Sequence, residues 1–226
     1  MIKAVIFDFD GTLLDSESCA FEAFGDMYKE HGHELALEKW ALCIGTADGP
    51  FDPYEDLQTK VGRKLERETL KARFEEELLA RALRAELRPG VPGILEEARR
   101  LGLSIGLASS SVRTWIDRHL TARGIRGYFE TIKTSDDVEK VKPDPALYRL
   151  ALEALGVRPD EAVAVEDSLN GMRAAKAAGM QVVIVPNPVT RQMDFAAEGP
   201  DLILDSLAER PLTWIVDRLE SARQKT

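Results

Sequence analysis

Cysteine is scarce in this chain. Only Cys19 and Cys43 occur in 226 residues, so no disulfide framework holds the fold. Both are expected to be reduced, small apolar residues of a cytoplasmic protein. Long hydrophobic runs are missing as well. The apolar runs are strand-length, far short of the ~20 residues of a membrane helix. The chain enters its first apolar run at Ala4, which leaves no room for a signal peptide. Excess positive charge is also absent. Thirty Lys and Arg against 39 Asp and Glu give a formal net charge of −9. That balance excludes a broad surface for nucleic acid or an anionic membrane, and leaves room for a local basic pocket. No internal repeat or low-complexity tract occurs, and a monomer is expected.

What is present is an ordinary globular composition, 44% hydrophobic and 31% charged. The length suits one large domain, or a domain with a small insert. From Leu87 onward, short apolar runs alternate with amphipathic segments. The runs are Leu103–Ala108, Thr131–Thr134, Ala162–Val165, Gln181–Val185 and Leu202–Leu204. Helices are expected near Val91–Leu101, Val112–Gly124, Pro145–Gly156, Leu169–Gly179 and Leu207–Ala222. Several of these segments end at or just before a glycine, as helix C-termini often do. This alternation predicts an α/β fold with a parallel sheet covered by helices on both faces.

Residues 16–86 read differently. Strand signals are weak, and helices are expected at Ser18–His31, Glu34–Cys43, Pro53–Val61 and Glu66–Glu86. In the last, Leu70, Phe74, Leu78 and Ala82 share one stripe, and the dense charges form a solvated face. The block is bracketed by Asp15-Ser16 and by Arg88-Pro89-Gly90. The expected division is a core of residues 1–15 and 88–226 with a helical insert at 16–87.

The first apolar run, Ala4-Val5-Ile6-Phe7, ends in Asp8-Phe9-Asp10-Gly11-Thr12. Side chains two apart on a strand share a face, so Asp8 and Asp10 start close together. Gly11 allows a bend and a close approach to the backbone. Two neighbouring carboxylates repel unless a proton or a cation relieves them, and a hard, oxygen-seeking ion such as Mg2+ suits the pair. A second strand ends in Ser109-Ser110-Ser111. Ser110 or Ser111 is expected to cap the next helix, and hydroxyls with free amides at a helix start also form an anion site. Lys142 precedes Pro143-Asp144-Pro145, where Pro145 can begin a helix. A further strand, Ala162–Val165, delivers Glu166 and Asp167, with Asp167 or Ser168 placed to cap the helix that follows. In an open α/β sheet, ligands bind beyond the C-terminal strand ends, where these side chains gather.

Taken in order, D-x-D-x-T at Asp8, Asp10 and Thr12, the strand-end Ser109, the K-P-x-P of Lys142 and the acidic pair Glu166-Asp167 resemble the four motifs of the haloacid dehalogenase superfamily. With a helical insert after the first motif, the chain is similar to its β-phosphoglucomutase-like phosphatase branch. That resemblance implies a Rossmann-like core, a helical cap, Mg2+ dependence and an aspartyl-phosphate intermediate. It implies that Asp8 is the nucleophile and Asp10 the general acid and base. Ser109 and Lys142 would bind the phosphoryl group. Mg2+ would be held by the Asp8 side chain, the Asp10 carbonyl and Asp167, with Glu166 bound directly or through water. The substrate would be a small phosphate ester.

Asp10 stands where haloacid dehalogenases themselves carry Tyr and phosphonoacetaldehyde hydrolases typically carry Ala. An oxygen leaving group that needs a proton is therefore expected. A sugar-phosphate mutase of the β-phosphoglucomutase type is the alternative to a phosphatase. Such mutases usually carry a His on the first cap helix at the place of Ala20, and Ala cannot move a proton. The loop Ile44–Pro53 is acidic rather than basic. Hydrolysis is therefore the expected outcome, with specificity set in the insert and near Ser16, Glu17, Thr46 and Asp48.

Overall fold

β1 (Ala4–Phe7) is buried on both faces, and its side chains divide by parity. Ala4 and Ile6 join one apolar cluster while Val5 and Phe7 join another. This is the two-residue period of a strand covered on both sides. The same split separates Ala162 and Ala164 from Val163 and Val165 in β4 (Ala162–Glu166). With β2 (Ser104–Ala108), β3 (Thr131–Lys133), β5 (Gln181–Ile184) and β6 (Leu202–Ile203), they form one six-stranded sheet in the order β3-β2-β1-β4-β5-β6. Every pairing is parallel. This is the Rossmann-like order, with β1 central and the crevice for ligands at its carboxyl end. The computed structural model describes residues 1–44 and 51–223.

Between β1 and β2 lie α1 (Ser16–Glu30), α2 (Leu37–Trp40), α3 (Pro53–Val61) and α4 (Arg67–Arg84). They enclose an apolar cluster of their own around Phe24. Its ring lies 4.8 Å from Tyr54, 5.3 Å from Phe74 and 5.6 Å from Trp40, within the range for favourable aromatic pairs. Leu70, Phe74 and Leu78 pack into this cluster, whereas Ala82 belongs to the sheet's core. The two chain crossings into the block run side by side. Leu14 bridges Leu87 antiparallel, and Arg88 N donates to Leu13 O at 2.9 Å.

Three further helices, α5 (Val91–Arg100), α6 (Arg113–Ala122) and α9 (Leu212–Arg223), cover the Val5 face. Two more, α7 (Ala146–Leu155) and α8 (Leu169–Ala177), cover the Ile6 face. Among the described residues no helix is long and apolar enough to cross a membrane.

Two expected helices are shorter than the sequence pattern suggests. Within Glu34–Cys43 only Leu37–Trp40 is α-helical, followed by a 3-10 turn at Ala41–Cys43. Its N-cap position is Ala36, which has no side chain to satisfy the first amides. The final helix starts at Leu212 rather than Leu207. Pro211 disfavours helical geometry at the residue before it, so the helix begins after the proline.

Candidate active site

Asp8 follows the last residue of β1, and its amide donates to Val165 O of β4 at 2.9 Å. Phe9 O then accepts from the amides of Thr12, Leu13 and Leu14, so the chain turns at once. Gly11 sits in that turn at φ 79°. A Cβ there would lie 2.3 Å from Asp167 Oδ2, so only glycine fits. The turn brings the β1 end against the β4 end.

Three carboxylates meet at this junction. Asp8, Glu166 and Asp167 each offer an oxygen within 4.8 Å of the others. Lys142 is buried among them, and its Nζ donates to Asp8 Oδ1 and to Glu166 Oε1, both at 2.6 Å. Burial works against the ammonium, but the charges of Asp8 and Glu166 outweigh it and hold Lys142 above its ordinary value. The peptide bond from Lys142 to Pro143 is cis. Tyr148 of α7 donates to Glu166 Oε1 at 2.7 Å, and its ring lies 5.0 Å from the Lys142 Nζ. Gly171 makes room for this carboxylate, since a Cβ there would lie 2.0 Å from it.

One ammonium cannot balance three carboxylates. Burial pushes Asp8 up to about 7; Lys142 opposes the rise and Glu166 adds to it. Asp167 is driven well above the usual carboxylate range by burial, with the charges of Asp8 and Glu166 reinforcing it. Such groups take up a proton or a cation. An all-oxygen, multiply charged pocket is the donor set that Mg2+ prefers. The residues present therefore fit a divalent cation. Asp167 is oriented by two donors, the Thr12 hydroxyl at 3.1 Å and Asn187 Nδ2 at 2.6 Å.

Asp10 points elsewhere. Its Oδ2 accepts from the Ser111 hydroxyl at 2.6 Å and, more weakly, from the Ser109 hydroxyl at 3.5 Å. Its Oδ1 accepts from the Ser16 hydroxyl at 2.7 Å and from Trp115 Nε1 at 2.9 Å. The Asp10 side chain thus stands apart from the three-carboxylate cluster. The Trp115 ring packs edge-on against His119, 4.1 Å away. Burial and the neighbouring Arg123 hold His119 down to about 4, so its ring stays neutral.

A cavity of about 270 Å³ opens over these groups. Asp8, Asp10, Lys142, Asp167 and the three serines Ser109 to Ser111 line it, with Glu17 and Ile44 reaching in from the helical block. Burial of the Glu17 carboxyl, with Asp10 and Asp8 nearby, pushes it up to about 8. Ser110 Oγ is buried with no partner among the described residues.

Several local expectations change. Neither Ser110 nor Ser111 caps α6. Its first amide, Arg113 N, is held instead by Asp136 Oδ2 at 2.9 Å. Ser168, by contrast, does cap α8, accepting from Gly171 N at 3.0 Å. Asp52 is the N-cap of α3 and pairs with Arg67 at 2.7 Å, so its charge serves the fold of the block. Thr46 and Asp48 lie outside the described residues. Nothing in the sequence pattern marks Trp115, Tyr148 or Asn187 as site residues. Each reads as ordinary core or loop, and only the fold brings them to the strand ends.

The fold and this site define the class. The family profile of haloacid dehalogenase-like hydrolases matches residues 5–185, and the chain belongs to that family. It is an enzyme of the phosphoric monoester hydrolase type. YhcW of Bacillus subtilis (strain 168), whose name gives it as a candidate phosphatase, is 48% identical over 221 residues, covering 98% of this chain and 99% of its own. Hexitol phosphatase B of Escherichia coli (strain K12) is 33% identical over 213 residues, covering 92% and 94%. Among solved structures, CbbY from Rhodobacter sphaeroides in complex with phosphate superposes with a TM-score of 0.71 at 32% identity, covering 92% and 96%.

Proposed function

We propose that this protein is a Mg2+-dependent phosphatase that hydrolyses a small phosphomonoester, a sugar phosphate or similar metabolite, through a phosphorylated Asp8. The observation that carries this reading is the Asp8 carboxylate, held 2.6 Å from the Lys142 ammonium at the floor of a cavity lined by hydroxyls. A carboxylate so placed is an oriented nucleophile beside a fixed positive charge.

In this reading Asp8 attacks the phosphorus in line, and its Oδ–P bond forms as the ester oxygen departs. Asp10 gives that oxygen its proton, then takes a proton from the water that attacks the acyl phosphate. Lys142, Ser109 and Ser110 hold the equatorial oxygens. Asp8, Asp167 and the Asp10 main-chain carbonyl would hold the Mg2+, with Glu166 directly or through water, and an ion held there would relieve repulsion between carboxylate and phosphate dianion. Residues 16–87 act as a cap over a core of residues 1–15 and 88–226, excluding bulk water when closed. The reading places the enzyme in the cytoplasm, which suits its two free cysteines.

Hydrolysis is favoured over phosphoryl return to a sugar because Ala20, buried in the block, carries no group that moves a proton. The test is phosphate release from sugar phosphates, polyol phosphates, nucleotides and phosphoglycolate, with Mg2+ and with EDTA. Turnover only with Mg2+ supports the reading. β-Glucose 1-phosphate with a glucose 1,6-bisphosphate primer should yield free phosphate. Rapid formation of glucose 6-phosphate would replace this reading with the mutase.

A further inference from the structure

We propose that Asn187 is a positioning residue for the cation site: its side-chain amide fixes the Asp167 carboxylate in the orientation that ligates the ion. The inference rests on the proposed cation at Asp8 and Asp167 and adds the group that prepares it.

Asn187 follows β5 in Pro186-Asn187-Pro188 and is fully buried. Its Nδ2 donates to Asp167 Oδ2 at 2.6 Å. Its Oδ1 accepts from the amides of Val189 at 2.8 Å and Thr190 at 3.0 Å, which fixes which way the amide faces. The Thr190 hydroxyl accepts from Asn187 N at 3.1 Å. Both ends of the side chain are therefore committed, and its orientation is set before any ion arrives.

Asp167 needs such a restraint. Its neighbours Asp8 and Glu166 carry like charge within 4.8 Å, which drives an unrestrained carboxylate to turn away. Thr12 and Asn187 each hold one of its oxygens and still leave lone pairs for a cation, since a carboxylate offers about four acceptor sites. Gly11 packs directly on this hydrogen bond; a Cβ there would lie 2.5 Å from Asn187 Nδ2.

The loop that carries Asn187 is itself clamped. The Arg88 guanidinium donates to Pro186 O and Val185 O, both at 2.8 Å, and to Gly11 O. It thus ties the β5 exit to the turn between Asp10 and Thr12. Partners that orient a metal ligand commonly matter 10- to 100-fold in affinity.

The test measures Mn2+ binding by electron paramagnetic resonance in wild type and in Asn187→Ser. Serine can still accept from the Val189 and Thr190 amides but is too short to reach Asp167. Thermal melts in EDTA establish that the variant folds. We expect the Mn2+ Kd of the variant to rise 10- to 100-fold, with turnover recovering as Mg2+ is raised. A Kd within twofold of wild type overturns the inference and leaves the cation site standing. No Mn2+ binding to wild type overturns the site itself and the inference with it. Should the serine variant not fold, the side-chain amide of Asn187 in the wild type decides, followed by nitrogen-15 NMR. Its proton resonances should shift on Mg2+ addition and broaden away with Mn2+; unchanged resonances under bound metal overturn the inference.

Discussion

Trp115 Nε1 donates a 2.9 Å hydrogen bond to Asp10 Oδ1, the same oxygen that accepts from the Ser16 hydroxyl at 2.7 Å. Trp115 belongs to α6, which packs on the sheet, and Ser16 is the first residue of α1 in the helical block. One carboxylate oxygen thus feels both parts of the molecule. If Asp10 is the acid and base, Asp10→Asn should lose about 10²- to 10⁴-fold in rate. Trp115→Phe keeps an aromatic ring and removes one donor to a charged acceptor, a change of about 10- to 100-fold. With an aryl phosphate, whose leaving group needs no proton, phosphoenzyme formation should suffer less than its hydrolysis in both variants. Equal small losses in both steps would make Asp10 a structural residue.

The acidic cluster predicts how stability depends on pH. Burial, opposed by Lys142, raises Asp8 to about 7 in the folded protein. Its unfolded value is roughly 3.9. Between those values the native state keeps a proton that the unfolded chain has lost, so stability falls as pH rises through the window. A cation bound at the proposed site would replace that proton and remove the penalty. The rise in Tm on adding Mg2+ should therefore be larger at pH 8 than at pH 5.5, as scanning calorimetry can measure. An equal rise at both values would mean that the ion does not displace a proton from this cluster.

Gly171 should tolerate no side chain. In Gly171→Ala the new Cβ would lie 2.0 Å from the Glu166 carboxylate, which holds Lys142 and Tyr148. Turnover should fall at least about tenfold, with a Tm several degrees lower. Gly93→Ala is the control, because nothing lies within 4 Å of its Cβ position in α5. It should be neutral or gain up to about 1 kcal/mol of stability from helix propensity. Similar behaviour of the two variants would contradict the packing described around Glu166.

Closure of the block is tested with Mg2+ and a phosphate-mimicking metal fluoride. The two crossings pair at Leu14 and Leu87, which makes this pair the proposed hinge of the helical block. Hydrogen exchange in these helices should slow and the radius of gyration should shrink on binding. No change with the ligand demonstrably bound would make the block a static wall.

Much of this molecule was legible from local rules. The strands read as short apolar runs, and β1, β2 and β4 bring Asp8, Ser109 and Glu166 to the carboxyl edge of the sheet. Helix α3 matches its expected bounds because three signals coincide: Asp52 as N-cap, Pro53 in the first turn and Gly62 at φ 70° after the last. Other features rest on distant contacts and left no local trace. Asn187 sits 20 residues from the Asp167 it holds, and its Pro-Asn-Pro setting reads as a plain turn. Trp115 has the spacing of a core residue, and nothing near it announces Asp10, 105 residues away. Motif residues reveal which groups could react; the groups that orient them emerge only when the strand ends are brought together.

In the proposed reaction Asp8 carries the phosphoryl group. The most direct measurement is mass spectrometry of the enzyme quenched in acid during turnover, with and without hydroxylamine. A phosphate adduct is expected on the peptide containing Asp8, stable in acid and removed by hydroxylamine, and it should be lost together with turnover in Asp8→Asn. Steady turnover by Asp8→Asn, or an adduct on any other residue, would contradict it.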